Sequence, residues 1–379
     1  MIQPTDQPSA SFTYADAGVD VEAGDKAVEL MKQAVSATHG PEVLAGIGGF
    51  AGLFDATALV GMRRPLLATS TDGVGTKVAV AQAMDVHHTI GLDLVGMVVD
   101  DIVVTGATPL FMTDYIACGR VVPERIADIV RGIAEGCRLT GTALVGGETA
   151  EHPGLLDPDE YDVAGAATGV VEADAVLGPD RVRAGDVVVA MASSGLHSNG
   201  YSLVRRVLAA AGWGYERHVD ELGRTVGEEL LEPTRLYTRA CLKLAGSPDA
   251  GVHAFSHVTG GGLAANLARV LPQGMTAIID RSTWTPAPVF GMVAQLGRVP
   301  RADLERTLNL GVGMVALVAS ESAQTALHLL AEGGVDAWVL GSVELDAREG
   351  PAATGEDVVR GAKGVHGGTV CMVGQHPTS

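Results

Sequence analysis

The stretch TSTDGVGTK, residues 69–77, follows the apolar residues 66–68 and combines two glycines with an aspartate and a lysine. An apolar strand that leads into such a segment is typical of a phosphate-binding site. The segment is not a Walker A loop, because no glycine stands five residues before Gly75, and a valine occupies the third glycine position of the dinucleotide fingerprint. What remains is a strand end at which Asp72 could hold a metal ion and Lys77 could face a phosphate. The alternative is an ordinary tight turn with a solvated lysine.

The composition of the chain is that of a folded globular protein. Of its 379 residues, 47% are hydrophobic and 19% are charged. This length exceeds one comfortable hydrophobic core, so we expect two domains. The 50 glycines indicate many turns or close approaches to a ligand. The net charge of −19 argues against nonspecific nucleic-acid binding. An anionic ligand must therefore be met locally, by backbone amides, a few basic side chains or metal ions.

Targeting and cysteine signals point to the cytoplasm. The sequence has no apolar run of about 18 residues, which a membrane-spanning helix needs. Its first residues, MIQPTDQPSA, lack the basic start and apolar core of a signal peptide. The cysteines are widely spaced and form no C-x-x-C pair, so they indicate neither a zinc site nor a disulfide scaffold; they are Cys118, Cys137, Cys241 and Cys371.

Hydrophobic periodicity predicts alternating helices and strands in two domains. Helices are predicted at residues 24–39, 90–104, 123–141, 203–211, 262–271 and 322–331. Strands are predicted at residues 66–70, 143–145, 163–171, 187–191, 276–279, 312–318 and 337–343. The pattern indicates a two-domain α+β or α/β fold whose second domain carries a mixed sheet. The expected division is a mobile tail at 1–11, an N-terminal domain at 12–171, a C-terminal domain at 172–346 and a disordered tail at 347–379.

The segment GLDLVGMVVDDIV, residues 91–103, places carboxylates in an apolar helix. Asp93 and Asp100 are seven residues apart and therefore share a helix face, and Asp101 lies next to that face. A buried carboxylate needs a cation or a basic partner. Mg²⁺ fits, because it prefers oxygen ligands and substrate phosphates. In the alternative, Asp100 and Asp101 face solvent.

The segment GGETAEHPG, residues 146–154, also follows a predicted strand. Glu148 comes directly after two glycines and could join the aspartates around a metal ion. His152 is interpreted as a loop histidine. Three acidic segments together favour a site for a metal and a nucleotide.

Two glycine-containing segments precede helices in the second half. In SSGLHSNGYSLVRR, residues 193–206, Gly195, Ser198, Asn199 and Gly200 lead into a helix whose N-terminal end favours anions, and His197 lies at that end. A helix cap with an incidental histidine is the alternative. In HVTGGGL, residues 257–263, Thr259 and the glycines 260–262 offer a hydroxyl and backbone N–H groups to a phosphate.

These motifs, in this order, closely resemble the phosphoribosylformylglycinamidine cyclo-ligase family, the aminoimidazole ribonucleotide synthetases of purine biosynthesis. The resemblance runs from about residue 11 to residue 345. It is carried by YADAGVD (14–20), GGF (48–50), TDGVGTK (71–77), IGLDLVGMVVDDIV (90–103), GGETAEHPG (146–154), YDVAG (161–165), SSGLHSNGYSLVR (193–205), TGGG (259–262) and NLGVGM (309–314).

The resemblance implies a homodimer in which the N-terminal domains contribute strands to a β-barrel with flanking helices. It implies ATP and Mg²⁺ bound in a cleft shared with the partner, and it leaves a K⁺ requirement open. The implied substrate is formylglycinamidine ribonucleotide. ATP would activate its formyl oxygen as a phosphate ester, and the substrate's own nitrogen would displace phosphate and close the imidazole ring. Positioning and charge neutralisation would then dominate catalysis.

Matching motifs also imply roles for particular residues. Asp72, Asp93 and Glu148 would hold Mg²⁺. ATP would contact Asp72, Gly73, Gly75, Thr76, Lys77, Gly147, Glu148 and Thr149. Substrate would contact Gly195, His197, Ser198, Asn199, Gly200, Thr259, Gly260, Gly261 and Gly262. Asp72, Lys77 and His197 are the predicted catalytic residues, His197 for proton transfer or for polarising an oxygen.

The chain departs from the family pattern where Asp100 stands, since the family often has Asn there, and in its C-terminal extension. Asp100 would either alter the number of metal ions or face water. Rival members of the same ATP-binding superfamily fit less well. Selenophosphate synthetase would need a reactive cysteine near the N-terminus, and the first cysteine here is Cys118. A hydrogenase-maturation carbamoyl dehydratase would end on its functional cysteine, whereas eight residues follow Cys371. Formylglycinamidine synthetase needs a duplicated architecture, thiamine-phosphate kinases lack HSNGYSLVR, and a non-catalytic scaffold would lack the acidic residues.

Overall fold

A four-stranded sheet with helices on one face forms the first half of the protein. The computed structural model describes residues 13–44, 48–346, 357–362 and 364–377. The helices of this half are α1 (Val21–Ser36), α2 (Val78–Met84), α3 (His88–Val103) and α4 (Pro123–Thr140). Its strands are β1 (Pro65–Gly73), β2 (Thr108–Cys118), β3 (Ala143–Glu151) and β4 (Tyr161–Glu172).

The strand order of this sheet is β1-β4-β2-β3, and only the β2–β3 pair is parallel, because α4 makes the crossover between them. Side chains alternate along β2: Met112 and Ile116 are fully buried under the helices, whereas Thr113 and Tyr115 are exposed. The sheet therefore has one face covered by α3 and α4 and one face open.

Glycines allow α3 and α4 to pack at backbone distance. A Cβ atom on Gly132 would overlap the carbonyl oxygen of His88, and one on Gly91 would overlap the backbone at Ile133. Gly136 lies in the same way against the side chain of Val95. The close contact between α3 and α4 has no room for a side chain at these glycines. It fixes the position of α3, which carries the acidic segment.

The second half contains a seven-stranded mixed sheet between two layers of helices. Its helices are α5 (Tyr201–Ala211), α6 (Val226–Leu230), α7 (Thr238–Ala245), α8 (Gly262–Leu267), α9 (Pro288–Gly297), α10 (Arg301–Glu305) and α11 (Ala323–Glu332). The strands of the large sheet are β5 (Val187–Ala192), β8 (Val252–His257), β9 (Met275–Asp280), β10 (Val312–Val318), β11 (Ala337–Leu345), β12 (Val358–Ala362) and β13 (Val365–Val373). Two short strands, β6 (His218–Val219) and β7 (Arg224–Thr225), pair with each other in a separate sheet.

The order of the large sheet is β12-β13-β9-β11-β5-β10-β8. Neighbouring residues of β5 point into different cores: Val188 packs with α8, and Val189 packs with α7 and α11. This division explains the continuous apolar runs of the central strands, which are buried on both faces. The predicted mixed α/β organisation with two domains is confirmed at this level. In the part of the chain that the structure describes, no helix is both long and apolar enough to cross a membrane.

The C-terminal segment corrects one prediction. The range 347–379 is expected to be disordered, yet β12 and β13 lie within it and add two strands to the large sheet, β13 parallel to β9. Their apolar residues are separated by glycines, which hid the alternation: Val370 and Met372 are buried, and Asp357 pairs with Arg281. The predicted mobile tail at 1–11 lies outside the described residues.

The close packing of α3 on α4 gives a testable consequence. We expect Gly132→Ala to lower the free energy of unfolding by about 1–3 kcal/mol, because the added methyl group must displace helix backbone. The matched control is Gly291→Ala in α9, where a Cβ meets nothing within 4 Å. That variant should be neutral or stabilising, since alanine is the better helix former. Urea unfolding of both variants measures the difference, and equal stabilities would contradict the packing account.

Candidate active site

Lys77 lies fully buried where the two halves of the protein meet. Its Nζ contacts both carboxylate oxygens of Asp93, at 2.9 and 2.8 Å. The same Nζ donates to the carbonyl oxygen of Glu232 at 2.7 Å and to that of His197 at 3.1 Å. One ammonium group therefore joins the first domain to two loops of the second. Burial lowers the pKa of Lys77, and the carboxylate of Asp93 opposes that shift.

Asp93 is equally committed to the interface. Its Oδ1 accepts hydrogen bonds from the N–H of Thr234 at 2.8 Å and from the hydroxyl of Thr234 at 2.6 Å. Burial raises the pKa of Asp93, while Lys77 and Thr234 act in the opposite direction. The contact of Lys77 with a phosphate and that of Asp93 with a metal ion stay predictions, and in this arrangement both side chains are engaged elsewhere. Each side chain is fully buried and finds its charged partner in the other.

The loop that carries His197 is held in a strained conformation. His197 has a φ of 60°, a region that non-glycine residues rarely adopt. Its carbonyl is fixed by Lys77, and the hydroxyl of Ser198 donates to the carbonyl of Val74 at 2.7 Å. From the motif NLGVGM, Asn309 donates to the carbonyl of Gly195 at 2.9 Å. The first domain and this motif together place the imidazole.

His197 is a neutral hydrogen-bond donor in this arrangement. Burial, helped by the positive charges of His257, Lys77 and Arg235, holds the pKa of His197 well below its usual value. Nε2 accepts the N–H of Ser194 at 3.1 Å, so the proton of the neutral ring lies on Nδ1. Nδ1 is buried and has no partner among the described residues. The ring can therefore polarise an oxygen through Nδ1–H, but its occupied Nε2 is not placed to act as a base.

Asp100 and Asp101 have different environments. Asp100 is fully buried and accepts from the N–H of Tyr237 at 3.0 Å and from the hydroxyl of Thr238 at 2.7 Å, so it caps the start of α7. It therefore neither faces water nor is positioned as a further metal ligand. Asp101 is partly exposed, and its Oδ1 lies 2.8 Å from Nδ1 of His257.

The TGGG segment follows β8 and approaches the His197 loop. Gly260 lies beside the amide oxygen of Asn199, which brings the two predicted substrate loops together. The side chain of Asn266 in α8 donates to the carbonyl of Thr259 at 3.1 Å. Gly262 has a separate structural role, because a Cβ there would overlap the backbone carbonyl of Glu305. Part of this glycine run thus reflects packing.

Glu148 does not join Asp72 within one chain. Glu148 lies inside β3, not in a loop after a short strand as predicted. The register aligns Asp72, Gly165, Asp114 and Gly147 in one row across the sheet. Glu148 follows Gly147 and so points to the opposite face. Asp72 also lies three strands away, about 14 Å at the usual strand spacing of about 4.8 Å. Among the described residues, no group of three His, Cys, Asp or Glu side chains is arranged to hold a metal ion.

A cavity of about 760 Å³ lies between α1, the segment 48–52 and the edge strand β3. Three of the sequence motifs line it, through Val19 and Asp20, Gly48 to Phe50, and Gly146 to Thr149. This volume falls within the usual range for small-molecule pockets and is large enough for a nucleotide. It takes in the predicted ATP residues of the GGETAEHPG segment, but not those of residues 72–77.

Sequence reasoning missed three residues near these sites. Asp114 lines the cavity, and burial raises its pKa to about 7. Its carboxylate lies over Gly147, where any side chain would overlap it. Arg235 is close enough to influence His197. Asn309 occurs in a quoted motif and fixes the His197 loop. The sequence offered one signal for Asp114: an aspartate on one strand and, later in the chain, a Gly-Gly pair on the neighbouring strand.

Comparison with known protein families covers both halves of the chain. The family model "AIR synthase related protein, N-terminal domain" matches residues 55–171, and the corresponding C-terminal domain matches residues 183–352. A relative from Geobacillus sp. (strain WCH70), named phosphoribosylformylglycinamidine cyclo-ligase, is 48% identical over 332 residues, which is 87% of this chain and 95% of the relative. A relative of the same name from Anaeromyxobacter sp. (strain Fw109-5) is 50% identical over 340 residues, 89% of this chain and 98% of the relative.

Solved structures share the fold at low identity. Thiamine-monophosphate kinase from Stenotrophomonas maltophilia K279a superimposes with a TM-score of 0.60 at 18% identity, over 84% of this chain and 93% of that one. The hydrogenase maturation protein HypE of E. coli gives a TM-score of 0.60 at 20% identity, over 86% and 92% of the two chains. These similarities support the two-domain α/β architecture.

The buried pair at the interface predicts a stability effect. We expect Lys77→Met to lower the free energy of unfolding by about 3–5 kcal/mol, because it leaves Asp93 buried without its cation. The double variant Lys77→Met/Asp93→Asn should recover part of the loss, since asparagine keeps an acceptor for Thr234. Urea unfolding provides the measurement.

The control for this prediction is Lys243→Met. Lys243 pairs with Glu332 on the surface at 2.7 Å, and removal of an exposed pair should change stability little. If Lys77→Met were no less stable than Lys243→Met, the interface would not depend on the buried ammonium.

Proposed function

Because the chain belongs to the phosphoribosylformylglycinamidine cyclo-ligase family, we propose that it closes the imidazole ring of 5-aminoimidazole ribonucleotide in purine biosynthesis. The substrate is 2-formamido-N1-(5-phosphoribosyl)acetamidine, and ATP is converted to ADP and phosphate. The observation that carries this function is the identity of 48–50% to relatives of that name over nearly their whole length. The structure supports it by bringing two predicted substrate loops together, since Gly260 lies beside the amide oxygen of Asn199, and by leaving Nδ1 of His197 buried without a partner among the described residues.

The predicted substrate residues are proposed to act at the cleft between the domains. His197 Nδ1–H would donate to the formyl oxygen or to the phosphate that replaces it, as an unpartnered buried donor can. Ser198, Asn199 and Gly200 would position the ribonucleotide with Thr259 and the glycines 260–262. The second domain thus supplies donors that polarise and orient the substrate, while its nitrogen and formyl carbon react with each other.

The cavity beside β3 is proposed as part of the ATP site. Glu148 lines this cavity, and so do three further acidic residues, Asp20, Asp25 and Glu151. Such a wall repels phosphates unless a cation intervenes. Mg²⁺ fits this donor set when the phosphates supply further ligands, because it needs only one or two protein carboxylates. Glu148 and Asp72 are the proposed carboxylates, with Gly73, Gly75, Thr76, Gly147 and Thr149 near the phosphates. When bound, the ion would neutralise phosphate charge.

A homodimer is proposed to complete that site. The open face of the four-stranded sheet exposes large apolar side chains, with Leu67 at 67% and Tyr115 at 41% exposure. An uncovered apolar face of this kind is typical of an interface. Two such sheets facing each other would give the barrel that the resemblance implies. The arrangement could also bring the β1 edge of one chain to the β3 edge of the other, and so Asp72 to Glu148.

The enzyme is proposed to act in the cytoplasm. All four cysteines are free thiols, three of them buried, as suits a reducing compartment.

Turnover by the wild-type protein tests the proposed function. We expect purified full-length protein to form 5-aminoimidazole ribonucleotide from formylglycinamidine ribonucleotide, with one ADP per product, and only when Mg²⁺ and ATP are present. Diazo coupling of the aminoimidazole product and an ADP assay measure the two yields. ADP release that does not depend on the ribonucleotide, without a diazotisable product, would refute the function.

Subunit complementation tests the shared ATP site. Asp72→Asn and Glu148→Gln should each lower turnover by about 100-fold or more, since each removes a carboxylate that neutralises phosphate charge. A heterodimer of the two variants, isolated with two affinity tags, keeps one intact site if that site is shared between subunits. It should then recover about half of the wild-type activity.

Light scattering of the wild-type protein provides the control for the dimer itself. A heterodimer as inactive as its parents would place Asp72 and Glu148 in separate roles within one chain.

A further inference from the structure

We propose that His257, held by Asp101, is a further catalytic residue that donates a hydrogen bond from Nε2 to the oxygen leaving the formyl carbon as phosphate. His257 ends β8, with Val258 between it and the TGGG segment, and only 5% of it is exposed. Its Nδ1 lies 2.8 Å from Oδ1 of Asp101, which belongs to α3 of the other domain. The proposal rests on the proposed cyclo-ligase function.

The geometry leaves one ring nitrogen of His257 without a partner. Nδ1 is taken by the carboxylate of Asp101, and Nε2 is buried with no hydrogen-bond partner among the described residues. A buried donor that lacks an acceptor costs about 1–3 kcal/mol. Such a cost at an interdomain surface indicates a position that a ligand atom fills. His197 has the same property through its Nδ1.

The charges around His257 make it the stronger of the two donors. Burial lowers the pKa of His257, but the carboxylates of Asp101, Asp100 and Asp72 together raise the pKa above its usual value. A ring that keeps its proton on both nitrogens donates a charge-assisted hydrogen bond. His197 and His257 thus differ in the direction of their pKa shifts, and each has one buried ring nitrogen without a partner among the described residues.

This pair of donors matches the charge changes of the ring closure. ATP first transfers its γ-phosphoryl group to the formyl oxygen. The amidine nitrogen then forms a bond to the formyl carbon, the carbon–oxygen bond breaks, the oxygen leaves as inorganic phosphate and the nitrogen loses its proton. Negative charge grows on the leaving oxygen during this step, and a fixed cationic donor stabilises that charge. Both unpaired ring nitrogens are buried in the present arrangement, so the substrate reaches them only if the protein around them moves.

Asp101 is a positioning residue in this scheme. Its carboxylate fixes the ring through Nδ1 and keeps Nε2–H directed away from α3. Because Asp101 lies in α3, the donor is aligned only when the two domains are docked. The contact therefore ties the orientation of the donor to the packing of the two domains.

Steady-state kinetics of full-length variants tests the proposal. His257→Asn removes the donor at the Nε2 position and should lower kcat by about 100-fold, with KM for ATP nearly unchanged. His257→Gln places an amide N–H near the Nε2 position and should retain more activity than His257→Asn. Asp101→Asn should lower kcat by about tenfold, because the ring is still held but less charged.

The matched control is His253→Asn. His253 lies on the same strand and also pairs with an aspartate, Asp186, at 2.8 Å, but it lies away from the cleft. Its variant should keep the wild-type kcat. Thermal unfolding of each variant separates lost chemistry from lost folding, and the Gln variant serves if the Asn variant does not fold.

The outcomes are distinct. A wild-type protein that forms no aminoimidazole product refutes the proposed function, and this proposal with it. An active wild type together with a folded His257→Asn variant within about twofold of its kcat overturns only the role of His257. Equal losses in the His253 and His257 variants would also overturn it, because a general effect on β8 would then explain the result.

Discussion

The buried ammonium of Lys77 is the interaction on which the arrangement of this protein depends. A lysine in a fully buried setting must use all of its donors, and here the partners are Asp93 in its own domain and two carbonyls of the other domain. Loss of Asp93 would leave an uncompensated charge in the interior, and loss of either carbonyl would leave a buried donor without an acceptor. In this arrangement the Lys77 ammonium joins the two domains, and the same contact holds the carbonyl of the strained His197 loop.

Two imidazoles near this interface are the residues to which we assign the reaction. His197 and His257 each keep one ring nitrogen buried and unpaired among the described residues. Asp100, by contrast, has both carboxylate oxygens hydrogen-bonded, to the N–H of Tyr237 and to the hydroxyl of Thr238. The contrast separates two uses of buried polarity. Hydrogen-bonded buried groups hold the two domains together. The unpaired donors are the ones that we propose to stabilise the negative charge that develops on a substrate.

The four-stranded sheet explains why Asp72 and Glu148 lie far apart within one chain. Alternation along β3 turns Glu148 away from the face that carries Asp72, and the strand order puts the two at opposite edges. The cavity beside Glu148 is walled by segments from three motifs, which only the fold brings together.

Local chemistry fixed much of this protein at the level of sequence. Apolar periodicity predicted the bounds of α4 and β10 nearly to the residue. The ordered motifs predicted the family, because glycines, carboxylates and histidines at set spacings are visible in the sequence itself. Tertiary structure decided which side chains and backbone groups these residues contact. Lys77 and Asp93 read as ligands for phosphate and metal, since their charges are visible in sequence and their mutual burial is not. β12 and β13 were missed because an edge strand forms only when β9 is there to pair with. Burial and pairing are properties of segments distant along the chain, and the folded arrangement alone determines which charges remain for the substrate.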